Sequence, residues 1–164
     1  MTKQLHNAYP SPADVEGTFA ALSGEGWPLE KARVLSDGSL LVSRHEAADG
    51  GVVIVSSRSL PAGIPGFLKA FLPGDNRAVQ TDSWGPADAD GVRPGSWKAD
   101  IPGAPAQVGG TMRIEPTATG STYVIDGAVT VKVPLIGGKA ETFIAEMTTK
   151  LTDREAQVLV AMLS

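Results

Sequence analysis

Tyr123-Val-Ile-Asp-Gly-Ala-Val-Thr-Val-Lys-Val133, then Pro134-Leu-Ile-Gly-Gly138, then a helical pattern from Lys139 to Leu163: this C-terminal stretch decides the fold. In the first segment Tyr123, Ile125, Val129, Val131 and Val133 alternate onto one face, with Gly127 among them, which predicts a strand with one buried face. Pro134 stops the strand and Gly137-Gly138 turns the chain. Beyond the turn Ala140, Phe143, Ile144, Met147 and Leu151 fall on one helical stripe, continued by Val158 and Met162. A helix of this length is roughly 35 Å long at about 1.5 Å per residue, so it needs a broad apolar surface to lie on. The arrangement predicted is a curved antiparallel sheet gripping one long terminal helix, with any functional volume between the two.

Working outward, Lys3 to Tyr9 reads as a short strand ended by Pro10. Ser11-Pro12-Ala13-Asp14 reads as a helix start, with Ser11 as the cap and Pro12 at the first helical position. Val15, Phe19 and Leu22 give that helix its apolar face, and Gly24 ends it. Gly24 to Val34 reads as a connector with a helical turn around Leu29 to Ala32. Ser39 to Ala47 and Gly51 to Ser59 form a hairpin about Asp49-Gly50-Gly51. Leu60 to Pro73 is apolar but rich in proline, and Ile64, Phe67, Leu68 and Phe71 have helical spacing over little more than two turns. A short amphipathic helix bridging two strands is expected there. Arg77 to Trp84, Ser96 to Ile101 and Gln107 to Glu115 complete the strands. Alternation puts Trp97, Ala99 and Ile101 on one face, facing Val108, Gly110, Met112 and Ile114. The order is strand, helix, six strands interrupted by one short helix, then a long helix, which is an α+β fold within one domain spanning 1–164.

Composition narrows the function. The 164 residues are 42% hydrophobic and 20% charged, with a net charge of -4. No cluster of lysine and arginine exists to meet phosphates, so nucleic acid is not an expected partner. With no cysteine, disulfides, thiolate nucleophiles and cysteine metal sites are excluded together. There is no apolar signal core at the start and no run long enough for an integral membrane segment, which makes a cytoplasmic location the expectation. Nineteen glycines and 12 prolines fall between strand-like runs, in keeping with many turns.

Five segments carry a family resemblance: His6-Asn-Ala-Tyr-Pro10, Leu60-Pro61 through Leu72, Gln80-Thr-Asp-Ser-Trp-Gly85, Pro102-Gly-Ala-Pro105, and Val131-Lys-Val-Pro-Leu-Ile-Gly-Gly-Lys139. In this order they resemble the START-like, or helix-grip, superfamily that includes Bet v 1-type allergens and polyketide cyclases. More narrowly, they resemble the actinobacterial family of unknown function DUF2505. Gly24 to Gly38 has no counterpart in the pattern. The resemblance implies a hydrophobic cavity between sheet and helix, and implies no particular reaction.

Motifs for chemistry are few. Gly137-Gly138-Lys139 fails the P-loop pattern, since Val133 stands five before Gly138 and Ala140 follows Lys139; it reads as a turn that aims the long helix. With only His6 and His45 and no metal-ligand spacing, neither a metal nor a cofactor is expected. His45 would serve as a general base only if it faced the cavity, and a surface position is the plainer reading. His6 is expected to fix the turn at Tyr9-Pro10. No nucleophile elbow is present. Asp82, Asp88, Asp90 and Asp100 are scattered, and Asp88-Ala-Asp90-Gly91 is a turn. Gly110 and Gly127 on inward faces would either bend the strands or leave room for a guest. Met112, Met147 and Met162 suit a guest of variable shape.

The function expected is therefore binding, as carrier or sensor, of a hydrophobic or amphipathic small molecule such as a lipid. The lining expected is Trp97, Met112, Tyr123, Ile125, Phe143 and Met147, with the Tyr123 hydroxyl orienting the guest. Ile64, Phe67, Leu68 and Phe71 form the expected gate. Two alternatives stand beside this reading. An aromatase/cyclase-like enzyme requires His45, Arg44 or an aspartate to point inward. A packed, non-catalytic interaction module would instead use Ile64 to Leu72 as an exposed patch.

Overall fold

The first strand, β1 (Lys3–Ser11), does not pair with its neighbour in sequence but with β7 (Gly120–Val131), the last strand of the chain. This computed structural model describes residues 2–61, 63–72 and 77–164. The remaining elements are α1 (Val15–Ser23), α2 (Gly26–Leu35), β2 (Leu40–Glu46), β3 (Val52–Ser59), α3 (Gly66–Lys69), β4 (Arg77–Trp84), β5 (Arg93–Asp100), β6 (Ala106–Thr117) and α4 (Gly137–Leu163). Among the described residues seven strands make one sheet in the order β1-β7-β6-β5-β4-β3-β2, every pair antiparallel. The 27-residue α4 runs across the concave face at roughly 40 Å. The predicted α+β architecture, a curved antiparallel sheet around a long terminal helix, is the one observed.

The inner face follows from the register. Asp82 lies between Ile54 and Trp97, and Met112 beside Ile125, so Val52, Ile54, Trp84, Trp97, Met112, Ile114, Ile125 and Val129 all lie on the inner face of the sheet and are buried. Burying each such side chain is worth about 1.5–3 kcal/mol. Gly110 and Gly127 pair directly on the inner face, beside Trp97. A Cβ on Gly110 would come within 2.1 Å of the Asp126 carbonyl, and one on Gly127 within 2.6 Å of the Trp97 ring. Between the two readings of these glycines, the space is thus taken by backbone and by Trp97.

Three local readings are corrected. First, β1 runs on through Pro10 to Ser11, pairing with Thr122 and Ser121. Proline is tolerated there because β1 is an edge strand. Ser11 is therefore not the helix cap: its hydroxyl lies 2.7 Å from that of Thr18, which in turn lies 2.9 Å from Ser121 Oγ. Asp14 caps α1 instead, accepting from the Gly17 N–H at 2.8 Å. Second, the supposed connector is the ten-residue α2, with Trp27, Pro28 and Lys31 on its buried side. Pro28 sits in the first turn, where its missing N–H costs no hydrogen bond. Third, Met162 leaves the apolar stripe and is 38% exposed, while Leu159 at 2% takes its place.

Two buried charges tie the layers. Arg93 donates to both carboxylate oxygens of Glu16 at 3.2 Å and to the carbonyls of Gly50 and Gly85, while stacking 3.8 Å above the Phe19 ring. Glu141, 1% exposed, accepts the Val131 N–H at 2.9 Å, pinning the first turn of α4 to the end of β7.

Candidate functional site

Because α4 packs on β1 and β7, while α1 packs on β3, β6 and β7 and α2 on β2, the long helix covers only part of the concave sheet. The gap this leaves is a cavity of about 560 Å³. One wall is α4, through Phe143, Met147, Leu151 and the charged Glu146, Lys150 and Arg154. The other is the end of α2 and the end of β3, through Leu35, Asp37, Arg58 and Leu60. Two small spaces, of about 40 and 30 Å³, adjoin it. An apolar one lies beneath α3 and shares Leu60, Phe143 and Met147. A polar one lies deeper and shares Arg58, Thr148 and Leu151.

The structure distributes the expected lining among these spaces. Phe143 and Met147 line both the large cavity and the apolar space. Trp97, Tyr123 and Ile125 line the deep polar space. Trp97 is also held as a structural residue, its indole N–H donating to the Asp126 carbonyl at 3.1 Å. Met112 lines none of the three; it is 2% exposed, packed in the core, and its sulfur accepts from the Tyr123 hydroxyl at 3.9 Å. Of the residues expected to form a gate, Ile64, Leu68 and Phe71 line the apolar space, and Leu68 is buried. The Phe67 ring instead lies under the Lys139 ammonium at 4.6 Å. The helix there is a single turn, 66–69, and Pro73, which closes the proline-rich segment, lies outside the described residues.

Around the deep space stands a group of polar side chains, and Lys31, Gln80 and Glu155 among them were not singled out by the sequence. Asp82 stands on the inner face of β4, accepting from the Gln80 amide at 3.0 Å. Burial pushes its carboxyl up to about 6, with the Gln80 hydrogen bond opposing. The Tyr123 hydroxyl is raised well above the ordinary tyrosine range by burial first and by the charges of Asp82 and Glu155 next. Lys31 of α2, 4% exposed, reaches Glu155 of α4 at 3.8 Å and lies 5.2 Å from the Trp27 ring. Above them the Tyr9 hydroxyl donates to Asp153 at 2.7 Å.

The other candidates lie elsewhere. His45 is exposed on edge strand β2, and Arg44 is spent on the Ser23 carbonyl at 2.5 Å and on Glu46 at 2.8 Å. His6 bonds Asp126, its register partner on β7, rather than fixing the turn at Tyr9-Pro10. That bond, with Arg113 second, holds the Asp126 carboxyl below the usual carboxylate range. Among the described residues no three His, Asp or Glu side chains converge in a way that could hold a metal ion. No described helix is long and apolar enough to cross a membrane.

An antiparallel sheet closed over a long C-terminal helix, with a cavity between them, defines the Bet v 1-type, START-like class. Solved structures of that shape match over nearly the whole chain. A norcoclaurine synthase of Thalictrum flavum has a TM-score of 0.58 at 15% identity, covering 100% of this chain and 98% of its own. A protein of Thermus thermophilus gives 0.60 at 15% identity, with 100% of both chains covered. Ara h 8.0201 gives 0.56 at 9% identity, covering 99% and 98%. At these identities the likeness speaks for fold alone. Within the class, residues 7–163 match the family described as "Protein of unknown function (DUF2505)", and the chain belongs to it. An uncharacterized protein of Mycobacterium tuberculosis is 27% identical over 163 residues, covering 92% of this chain and 93% of the relative.

Proposed function

We propose that the protein binds a hydrophobic or amphipathic small molecule between sheet and helix, as carrier or sensor. The observation that carries this reading is the cavity of about 560 Å³ with apolar walls of Phe143, Met147, Leu151, Leu35 and Leu60. Its size falls within the roughly 300–1,000 Å³ of ordinary small-molecule sites. Phe143 and Met147 join it to the apolar space beneath α3, so Ile64, Leu68 and Phe71 act as its gate. Native mass spectrometry of the purified protein, followed by organic extraction, tests the reading. The expected result is a stoichiometric apolar adduct, or uptake of the neutral probe N-phenyl-1-naphthylamine by emptied protein. A bare mass together with no probe uptake overturns it.

One observation favours a second reading, a cyclase-like enzyme: an acid on the inner face. Asp82, with its raised carboxyl and the Tyr123 hydroxyl nearby, supplies the inward aspartate that such chemistry requires of this chain. Turnover of a compound recovered by extraction, abolished in Asp82→Asn, would select this reading. Release of the compound unchanged selects the binder.

A further inference from the structure

Arg58 projects from β3 onto the inner face, where its register partner on β4 is the small Ala78. Arg58 lines both the large cavity and the deep polar space. Among the described residues its Nη1 is fully buried and has no hydrogen-bond partner. A buried guanidinium nitrogen with nothing to donate to is costly, because its lost hydration is not replaced. The nearby acids are engaged elsewhere: Glu155 faces Lys31, Asp82 accepts from Gln80, and one oxygen of Asp37 accepts the Ser39 N–H at 2.9 Å. The other Asp37 oxygen is also buried without a partner. At the mouth, the exposed Lys150 and Arg154 outnumber the Glu146 carboxylate.

We propose that Arg58 is an anion-binding residue at the inner end of the cavity, and that the occupant is an amphipathic acid: one carboxylate-like head on Arg58, with an apolar body along Leu60, Phe143, Met147 and Leu151. This rests on the binding function proposed above and adds the chemistry of the ligand's head. Arginine suits the role because its planar fork meets a carboxylate with two parallel donors. An apolar body alone would fill the cavity and leave Nη1 unsatisfied. An acid does both.

The test compares cis-parinaric acid with its methyl ester by fluorescence titration, with N-phenyl-1-naphthylamine as the neutral control. The acid is expected to bind roughly ten- to a hundredfold tighter than the ester, the range of a charge-assisted hydrogen bond. Arg58→Met should bring that ratio to about one while uptake of the neutral probe persists, and Arg58→Lys should keep part of the preference. Lys150→Gln, at the exposed rim, should leave the ratio within about twofold, as expected for a solvent-screened charge. Equal binding of acid and ester by the unmodified protein overturns the assignment and leaves the cavity reading standing. No uptake of the neutral probe removes both. If Arg58 instead served Asp37, then Asp37→Asn would lower the melting temperature as much as Arg58→Met and the acid would show no preference; that result also overturns the proposal.

Discussion

At the scale of single residues, the interior of this protein is organised by a few polar groups placed where alternation alone would put apolar ones. Asp82 is the clearest. Its carboxyl is raised from 3.8 to about 6, so the folded protein holds this proton more tightly than the unfolded chain does. Stability therefore falls as pH rises from about 4 to about 6, and the loss persists above that window. Asp82→Asn is expected to raise stability by about 1–3 kcal/mol at pH 7.5 and to change it little at pH 3.5, since a shift of one unit is worth about 1.4 kcal/mol. Calorimetric melting at the two pH values checks this; an equal change at both would show that the carboxyl is not suppressed by burial. Arg58 and Lys31 belong to the same group of inward polar side chains. None was legible as such, because β4 and β3 present Ala78, Gln80, Asp82, Ser56 and Arg58 inward. That row reads as no pattern at all.

At the scale of elements, α2 and α3 each add a wall to the spaces beside α4, through Leu35 and Leu68 respectively. The first is joined to α4 by the Lys31–Glu155 pair at 3.8 Å, whose side chains are only 5% and 14% exposed. Removing one partner of so buried a pair strands the other, whereas replacing both does not. Lys31→Met should cost about 2–3 kcal/mol in urea unfolding, and adding Glu155→Leu should restore much of that loss. A double variant no more stable than the single one would mean the pair is not what holds α2. The second element lies within the segment proposed as the gate. Phe71 is 37% exposed and faces the apolar space, so Phe71→Ala removes little buried area. Probe release measured by stopped flow should quicken several-fold in Phe71→Ala while the melting temperature moves by less than about 2 °C. Equal loss of stability and exchange control would remove the gate. The α3 segment was legible because Ile64, Leu68 and Phe71 keep helical spacing between prolines. The α2 helix was not, because Gly24, Gly26 and Pro28 read as breakers and its buried side carries a lysine.

At the scale of the whole molecule, the curved antiparallel sheet and the grip of α4 were legible from the alternation in β5 and β6 and the apolar stripe of α4, whereas the pairing of β1 with β7 was not. Nor was the position of the cavity. It depends on how far across the sheet the long helix sits, and no residue pattern encodes that offset. It emerges from Glu141 fixing the start of α4 at Val131, and from the contacts of its body with β1 and β7. The same arrangement governs the order in which the protein can come into being. Lys3 pairs with Val129 and Ser11 with Ser121, so the first strand made has no partner until almost the last is made. A ribosome adding about 5–20 residues per second leaves β1 waiting for several seconds while the β2–β6 meander can already close on itself. Sheets dominated by such distant pairings fold slowly. A chain truncated after residue 118 should therefore show no amide-exchange protection in β1, whatever protection its β2–β6 meander retains. For this fold β7 and α4 complete both ends of the grip at once, long after β1 has been made.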